Sequence, residues 1–292
     1  MIPYLMRGRN ESAVYHEQNL DVTKTRPWLR SYNRAHPEAA ATMFHLMMAA
    51  VAESLHAKPG MNRFIAGGKI YQREHVDLSF AAKKAMEATA PMVTVKMRFP
   101  RNEPFTVVCK RIAEAVADAR TDRITSVDKE LALALALPGP MLRGVMATLR
   151  GLDTLNLMPS AMIKTDPMYA SAFIANLGSL GLDNTYHHLY EYGTIGLFGA
   201  IGTTKKAQVL GPDGKPTVRD VSQIRWTFDE RVNDGFYAAS AIKQAGRIIE
   251  DPERFFGVPQ EAGEPAHWRD ERGSTSATPA KRKSDNYGVS QA

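Results

Sequence analysis

The residues of this chain best placed to do chemistry occupy seven consecutive positions, Asp229-Glu230-Arg231-Val232-Asn233-Asp234-Gly235. Asp-Gly at the end of such a string reads as a turn, in which the Asp234 side chain accepts a backbone N–H and Gly235 is free to adopt positive φ. Glu230 is the position where a proton could move. A glutamate titrating near about 4.3 is poorly matched to a thiol near about 8.5; burial would raise it toward neutrality, where it could accept a proton from a hydroxyl or an amine. His187-His188 is the other potential source of a base. Neighbouring residues of an extended segment point to opposite sides, so at most one of the two would serve, and a polar loop or core role is the plainer reading. Cys109, the only cysteine, sits between Val108 and Lys110 in a helical pattern and reads as a small packing residue. No histidine pair has metal-ligand spacing with a carboxylate partner. The glycines from Gly193 to Gly202 match neither dinucleotide nor phosphate-loop spacing, and close strand packing accounts for them.

These residues need elements to position them. Phe44, Met47, Met48, Val51 and Leu55 recur at helical spacing, so Thr42 to Ala57 is a helix capped by Thr42 and stopped at Pro59-Gly60. Ser12 to Val22 reads as extended, and a helix opens near Thr23 or Thr25 because Pro27 is tolerated only in a first turn. Arg63 to Ala66 and Lys69 to Tyr71 flank Gly67-Gly68 as a hairpin. His75 to Ala82 and Met92 to Phe99 alternate like strands, and Val108, Ile112 and Val116 stripe a helix from Thr106 to Ala119. Between Asp128 and Ile163 two apolar helices are broken at Pro138-Gly139-Pro140, with more apolar surface than one buried face requires. That surplus suits a core cap, a subunit contact or a lid.

From Met168 onward the pattern is β-rich: Tyr169 to Asn176, Thr194 to Ile201, Ala207 to Leu210 and Thr217 to Phe228 are strands, the last two joined by a turn at Gly211-Pro212-Asp213-Gly214. A final helix runs from Ala238 to Glu250 and ends at Asp251-Pro252. Beyond Pro259 the composition turns polar and is expected to be a disordered tail over 259–292. Alternating helices and strands with a strand-rich second half predict an α/β sandwich, a mixed sheet covered by helices, occupying one domain over 1–258.

Composition restricts the partners. With 292 residues the chain can bury a full core, and 44% hydrophobic and 23% charged residues are ordinary for a globular protein. The net charge of +6 comes from cations interleaved with anions, which argues against nucleic acid while suiting a small anionic ligand. The first residues meet charges too early for a signal peptide, no apolar run spans a bilayer, and a lone cysteine fits a reducing cytoplasm.

The order of hairpin, long strand, Asp-x-Arg-Val-x-Asp-Gly turn and helix ending Glu-Asp-Pro-Glu resembles the catalytic domain of the dihydrolipoamide acyltransferases, core subunits of 2-oxoacid dehydrogenase complexes. These share their fold with chloramphenicol acetyltransferase. Their turn typically reads DHRVIDG, and a second match, Phe173-Ile-Ala-Asn-Leu-Gly-Ser-Leu-Gly181, resembles their TISNLGxxG strand. A weaker third match joins Leu20-Asp-Val-Thr23 with the Thr42 to Asn62 helix.

The resemblance implies a homotrimer, an active site between subunits, and coenzyme A or acyl-coenzyme A as ligand, with Asn176 near it. In that family the motif histidine takes the thiol proton and a hydroxyl stabilises the oxyanion. By position, Asp234 and Gly235 are kept, the histidine is Glu230 and the hydroxyl is Ala175. An ionised Glu230 would repel a forming oxyanion, and one lost oxyanion donor removes about 3–4 kcal/mol of transition-state stabilisation. The expectation is therefore a catalytically degenerate scaffold or ligand-binding protein. Its rivals are a transferase using Glu230 or a nearby histidine on another acceptor, and an assembly protein docking a partner through 131–163. No lipoyl or peripheral-subunit-binding segment is expected, and the polar end does not suit the family's apolar cage contact.

Overall fold

The computed structural model describes residues 2–6, 8–83, 92–121, 137–211, 213–260 and 290–291. In chain order they form α1 (Ile2–Leu5), β1 (Ala13–Asp21), α2 (Thr25–Ala35), α3 (Met43–Ala57), β2 (Arg63–Ala66), β3 (Lys69–Gln72), β4 (Asp77–Lys83), β5 (Met92–Arg98) and α4 (Phe105–Arg120). There follow α5 (Gly139–Thr154), α6 (Ser160–Thr165), β6 (Ala172–Asn176), β7 (Leu197–Leu210), β8 (Pro216–Asp229), α7 (Gly235–Glu250), α8 (Pro252–Phe256) and β9 (Ser290–Gln291).

Six strands make one mixed sheet in the order β1-β8-β7-β6-β4-β5. β6 runs parallel to both β4 and β7, while the remaining neighbours are antiparallel. Alternation along each strand sorts side chains onto two faces. One face carries Leu78, Phe80, Ile174, Leu197, Ile224, Trp226 and Phe228, and these pack with α2, α3, α4 and α7 into the main core. The central helix α3 is buried at ten successive positions, Leu46 to Leu55, which is why its apolar residues surround it instead of forming one stripe. Burial of each large side chain contributes about 1.5–3 kcal/mol, so this layer dominates the stability.

The second face is covered by the 177–193 connection. Phe173 of β6 stacks on Phe198 of β7 with ring centroids 5.2 Å apart, and Leu189 and Ile195 complete a smaller apolar cluster. At Gly199 any Cβ would meet the Trp226 ring at 2.7 Å, so the glycine is there for close packing, as expected.

Several boundaries differ from those read in the sequence. The expected strands Thr194 to Ile201 and Ala207 to Leu210 are one 14-residue strand, β7, which starts only at Leu197. Its ladder with β8 shifts register between Ile201 and Thr204, and that irregularity, with the polar Lys205-Lys206 after it, mimics a strand end. The apolar segment past Pro138 is also two helices, because Pro159 starts a new first turn in α6 after α5 has ended. No residue of α5 or α6 is buried. The Leu131 to Ala136 part of the expected first helix lies outside the described residues. So does the tail over 261–289, while Ser290 and Gln291 pair antiparallel with Gln72 and Tyr71 of β3.

Candidate functional site

The seven-residue string leaves the sheet at the end of β8 and enters α7. Asp229, buried at the last strand position, is gripped from three sides. The Arg231 side chain donates to both of its oxygens, from Nε at 2.9 Å and Nη2 at 2.8 Å, and the Arg231 N–H donates at 3.0 Å. Ser12 Oγ donates to it at 2.9 Å across the β1 edge. The Glu230 N–H in turn donates to the Ser12 carbonyl at 3.0 Å. A two-pronged ion pair removed from water has fixed geometry, and here it fixes the backbone on both sides of Glu230.

Asp234 is the N-cap of α7: its Oδ1 accepts the Tyr237 N–H at 2.8 Å, and its carbonyl accepts from Ala238. The turn therefore needs this acceptor, as the sequence indicates. Gly235 is different. It is the first helical residue, its φ is not positive, and an added Cβ would meet nothing within 4 Å, so the expected left-handed conformation is corrected. The glycine required by this turn is Gly60, opposite it, where a Cβ would come within 2.8 Å of Asn233 and the Tyr237 ring. The Gly60 N–H donates to Tyr237 Oη at 3.1 Å.

Glu230 itself is half-buried, and among the described residues its carboxylate has no hydrogen-bond or ion-pair partner. Phe236, two residues past Asp234, projects with 88% of its surface exposed.

Ala175 lies on the second face of the sheet, paired with Ala200 of β7, which is itself opposite Arg225 of β8. Glu230 is five residues beyond Arg225. At about 3.3 Å per residue and 4.8 Å per strand, the two positions are about 19 Å apart within one chain. A single copy thus does not bring Glu230 and Ala175 together. Asn176 holds the turn after β6, accepting the Ser179 N–H at its Oδ1 at 3.1 Å while its carbonyl accepts from Ser179 Oγ at 2.8 Å.

His187 and His188 do not point to opposite sides. Their rings stack with centroids 4.5 Å apart, and His187 Nδ1 lies 2.7 Å from the His188 carbonyl oxygen. The His187 ring also stacks on Phe198 at 4.1 Å, and its carbonyl accepts from Thr227 Oγ1 at 2.6 Å. Burial lowers its affinity for a proton, partly offset by the contact with the His188 carbonyl. It is a packing histidine over the small cluster. Cys109 is fully buried in the main core, and burial pushes its thiol up to about 12, which leaves it protonated and unreactive. Among the described residues no group of three His, Cys, Asp or Glu side chains could hold a metal ion, and no helix is long and apolar enough to cross a membrane.

The supports of the turn were not visible in the sequence. Arg9, buried against Tyr190, Glu191 and Gly193 carbonyls, and Ser12 come from more than 200 positions upstream of it. Only the Asp-x-Arg spacing at 229 and 231 was a local signal for the ion pair.

With this geometry in hand, the chain can be compared with known proteins. The family described as "2-oxoacid dehydrogenases acyltransferase (catalytic domain)" matches residues 5–130 and 163–257. No curated protein matches the chain by sequence. Among solved structures, the dihydrolipoamide acetyltransferase of Azotobacter vinelandii, studied for the role of a serine, a histidine and an asparagine in its catalytic mechanism, is similar with a TM-score of 0.60 and 16% identity over 82% of each chain. A probable dihydrolipoamide acetyltransferase from Listeria monocytogenes gives a TM-score of 0.59 at 15% identity over 82% of this chain and 84% of that one. The cubic core of a pyruvate dehydrogenase multienzyme complex gives 0.59 at 16% identity over 82% of each. At these identities the structural likeness establishes the shared fold.

Proposed function

Since the chain belongs to the acyltransferase catalytic-domain family of the 2-oxoacid dehydrogenases, we propose that it is a member that has kept the fold and lost the thiol acyl transfer. In this reading it works as an oligomeric scaffold that binds a protein partner or a coenzyme A-like ligand. The observation that carries it is the contrast within one turn: Asp229, Arg231 and Asp234 all have engaged structural roles, while the carboxylate of Glu230 between them has no partner among the described residues.

A base for thiol transfer must take a proton from sulfur and then sit beside a developing oxyanion. Imidazolium attracts that oxyanion and a carboxylate repels it. Ala175 supplies no hydroxyl donor from its strand. Because such groups act as a unit, loss of both leaves little of the reaction. Coenzyme A enters this account as a ligand, suited by the chain's excess of cations, and no step of chemistry is assigned to it. The self-association is a trimer, and the setting is a reducing cytoplasm.

The test is acylation of coenzyme A and of dihydrolipoamide thiols from acyl donors, followed by thiol loss. The wild-type rate is expected to equal the uncatalysed background and to be unchanged in Glu230→Gln. A rate above background that disappears in Glu230→Gln would refute the proposal.

A further inference from the structure

The family match stops at residue 130 and resumes at 163. The end of that unmatched segment and α6 help to line a cavity of about 480 Å³ beside β2, β4 and β5. Asp153 and Met158 of the segment line it together with Ile163 and Lys164 just beyond, Phe64 and Ala66 of β2, and Lys96 of β5. This volume is in the range of small-molecule sites, and three of its fifteen lining residues, Asp153, Asn156 and Met158, fall in the segment that the family match leaves out.

The charges inside do not balance pairwise. Arg73 lies over the Phe64 ring, 4.4 Å from its centroid, and its Nη2 donates to the Thr194 carbonyl at 3.1 Å and to Thr194 Oγ1. Its Nε is buried with no hydrogen-bond partner. Lys96 Nζ donates to two carbonyl oxygens, those of Ile163 at 2.8 Å and Asp166 at 3.3 Å, and so binds the lid by backbone acceptors alone. Two carboxylates of the same lining are engaged elsewhere: Asp77 accepts from Arg98 Nε at 3.0 Å, and Asp153 accepts from Tyr169 Oη at 2.8 Å; the third, Glu74, is exposed to solvent. Burial pushes Arg73 down to about 10 and Lys96 down to about 8; attraction to Asp77 offsets part of this at both, and Arg73 adds repulsion at Lys96. Two largely desolvated cations therefore share a cavity, and among the described residues neither makes an ion pair with a carboxylate, an arrangement that a bound anion stabilises.

We infer that this cavity is a binding site for a small monocarboxylate with an apolar or aromatic body. Its negative head would lie at the Arg73–Lys96 side and its body among Phe64, Met158 and Ile163. Asp77 and Asp153 in the lining disfavour a doubly charged phosphate, so one negative charge matches better than two. The inference does not depend on Glu230: it concerns binding, and it stands or falls separately from any acyl transfer.

Titration calorimetry of the full chain against butyrate, 4-phenylbutyrate and decanoate, with 4-phenylbutanol and inorganic phosphate as comparators, tests it. At least one carboxylate is expected to bind, at least tenfold more tightly than 4-phenylbutanol or phosphate. Lys96→Met is expected to weaken that carboxylate at least tenfold while leaving the alcohol unaffected, and Ala66→Leu, which fills the cavity, to weaken both. Thermal unfolding confirms that each variant is folded, and ligand-induced stabilisation gives a second reading of binding to the wild type. Absence of binding by every carboxylate, equal binding of acid and alcohol, or indifference of a folded Lys96→Met would overturn it.

Discussion

At Asp229 and Arg231 a charge pair of which 3% and 5% of the side-chain surface is exposed sits on either side of Glu230. Removing one partner strands the other charge away from water, at a cost of about 3–5 kcal/mol. Arg231→Met is accordingly expected to lower the unfolding free energy in urea by about that amount, whereas replacing both residues by leucine recovers most of it. A single variant costing under about 1 kcal/mol, the range of a solvated surface pair, would show that the pair does not hold the turn. The sequence displayed the participants unevenly. Asp234 as a turn acceptor and Cys109 as a packing residue were readable because each role is local. The grip of Ser12 on Asp229 joins positions at opposite ends of the chain, and nothing in either neighbourhood announces it. The two histidines misled for a related reason, since the ring of His187 is held by stacking on Phe198, a residue of another strand.

Among the elements, α3 shows how a buried helix exposes a liability. It is enclosed by the sheet, α4 and α7, and it carries one carboxyl, Glu53, with 8% of its surface exposed. Burial pushes Glu53 up to about 8, against a partial offset from the Asn102 N–H that it accepts at 3.3 Å. A folded-state value above the unfolded one means that the protonated carboxyl favours folding. That contribution is complete below about pH 4.5 and is lost as pH rises through about 8. Glu53→Gln should therefore melt several degrees above wild type at pH 9, with the difference shrinking toward pH 5; a constant difference across that range would contradict the burial argument. The helix itself was legible because its apolar residues recur through four turns. The β2–β3 hairpin was equally so, since Gly67 and Gly68 both take positive φ, at 55° and 74°. Strand β7 was read as two because a register shift and an early strand end look alike in sequence.

For the whole molecule the decisive geometry is the separation of Glu230 from Ala175, about 19 Å across the sheet of one chain. A site containing both requires a second copy, which is why oligomerisation belongs to the proposed function. Sedimentation velocity is expected to give three times the 32.3 kDa chain mass at micromolar concentration. A concentration-independent monomer would remove the scaffold reading. The fold was recoverable from the order of elements and two motifs spread along the chain, yet the cavity under α5 and α6 was not, because its walls come from five separate segments.

The central claim is that the acyltransferase fold persists here without its chemistry, and one rate comparison reaches it most directly. Thiol acylation by wild type is measured beside Ala175→Ser combined with Glu230→His, both at matched oligomeric state. The account predicts background turnover for wild type and a rate clearly above it for the double variant. Wild-type turnover that exceeds the double variant and vanishes in Glu230→Gln would contradict it.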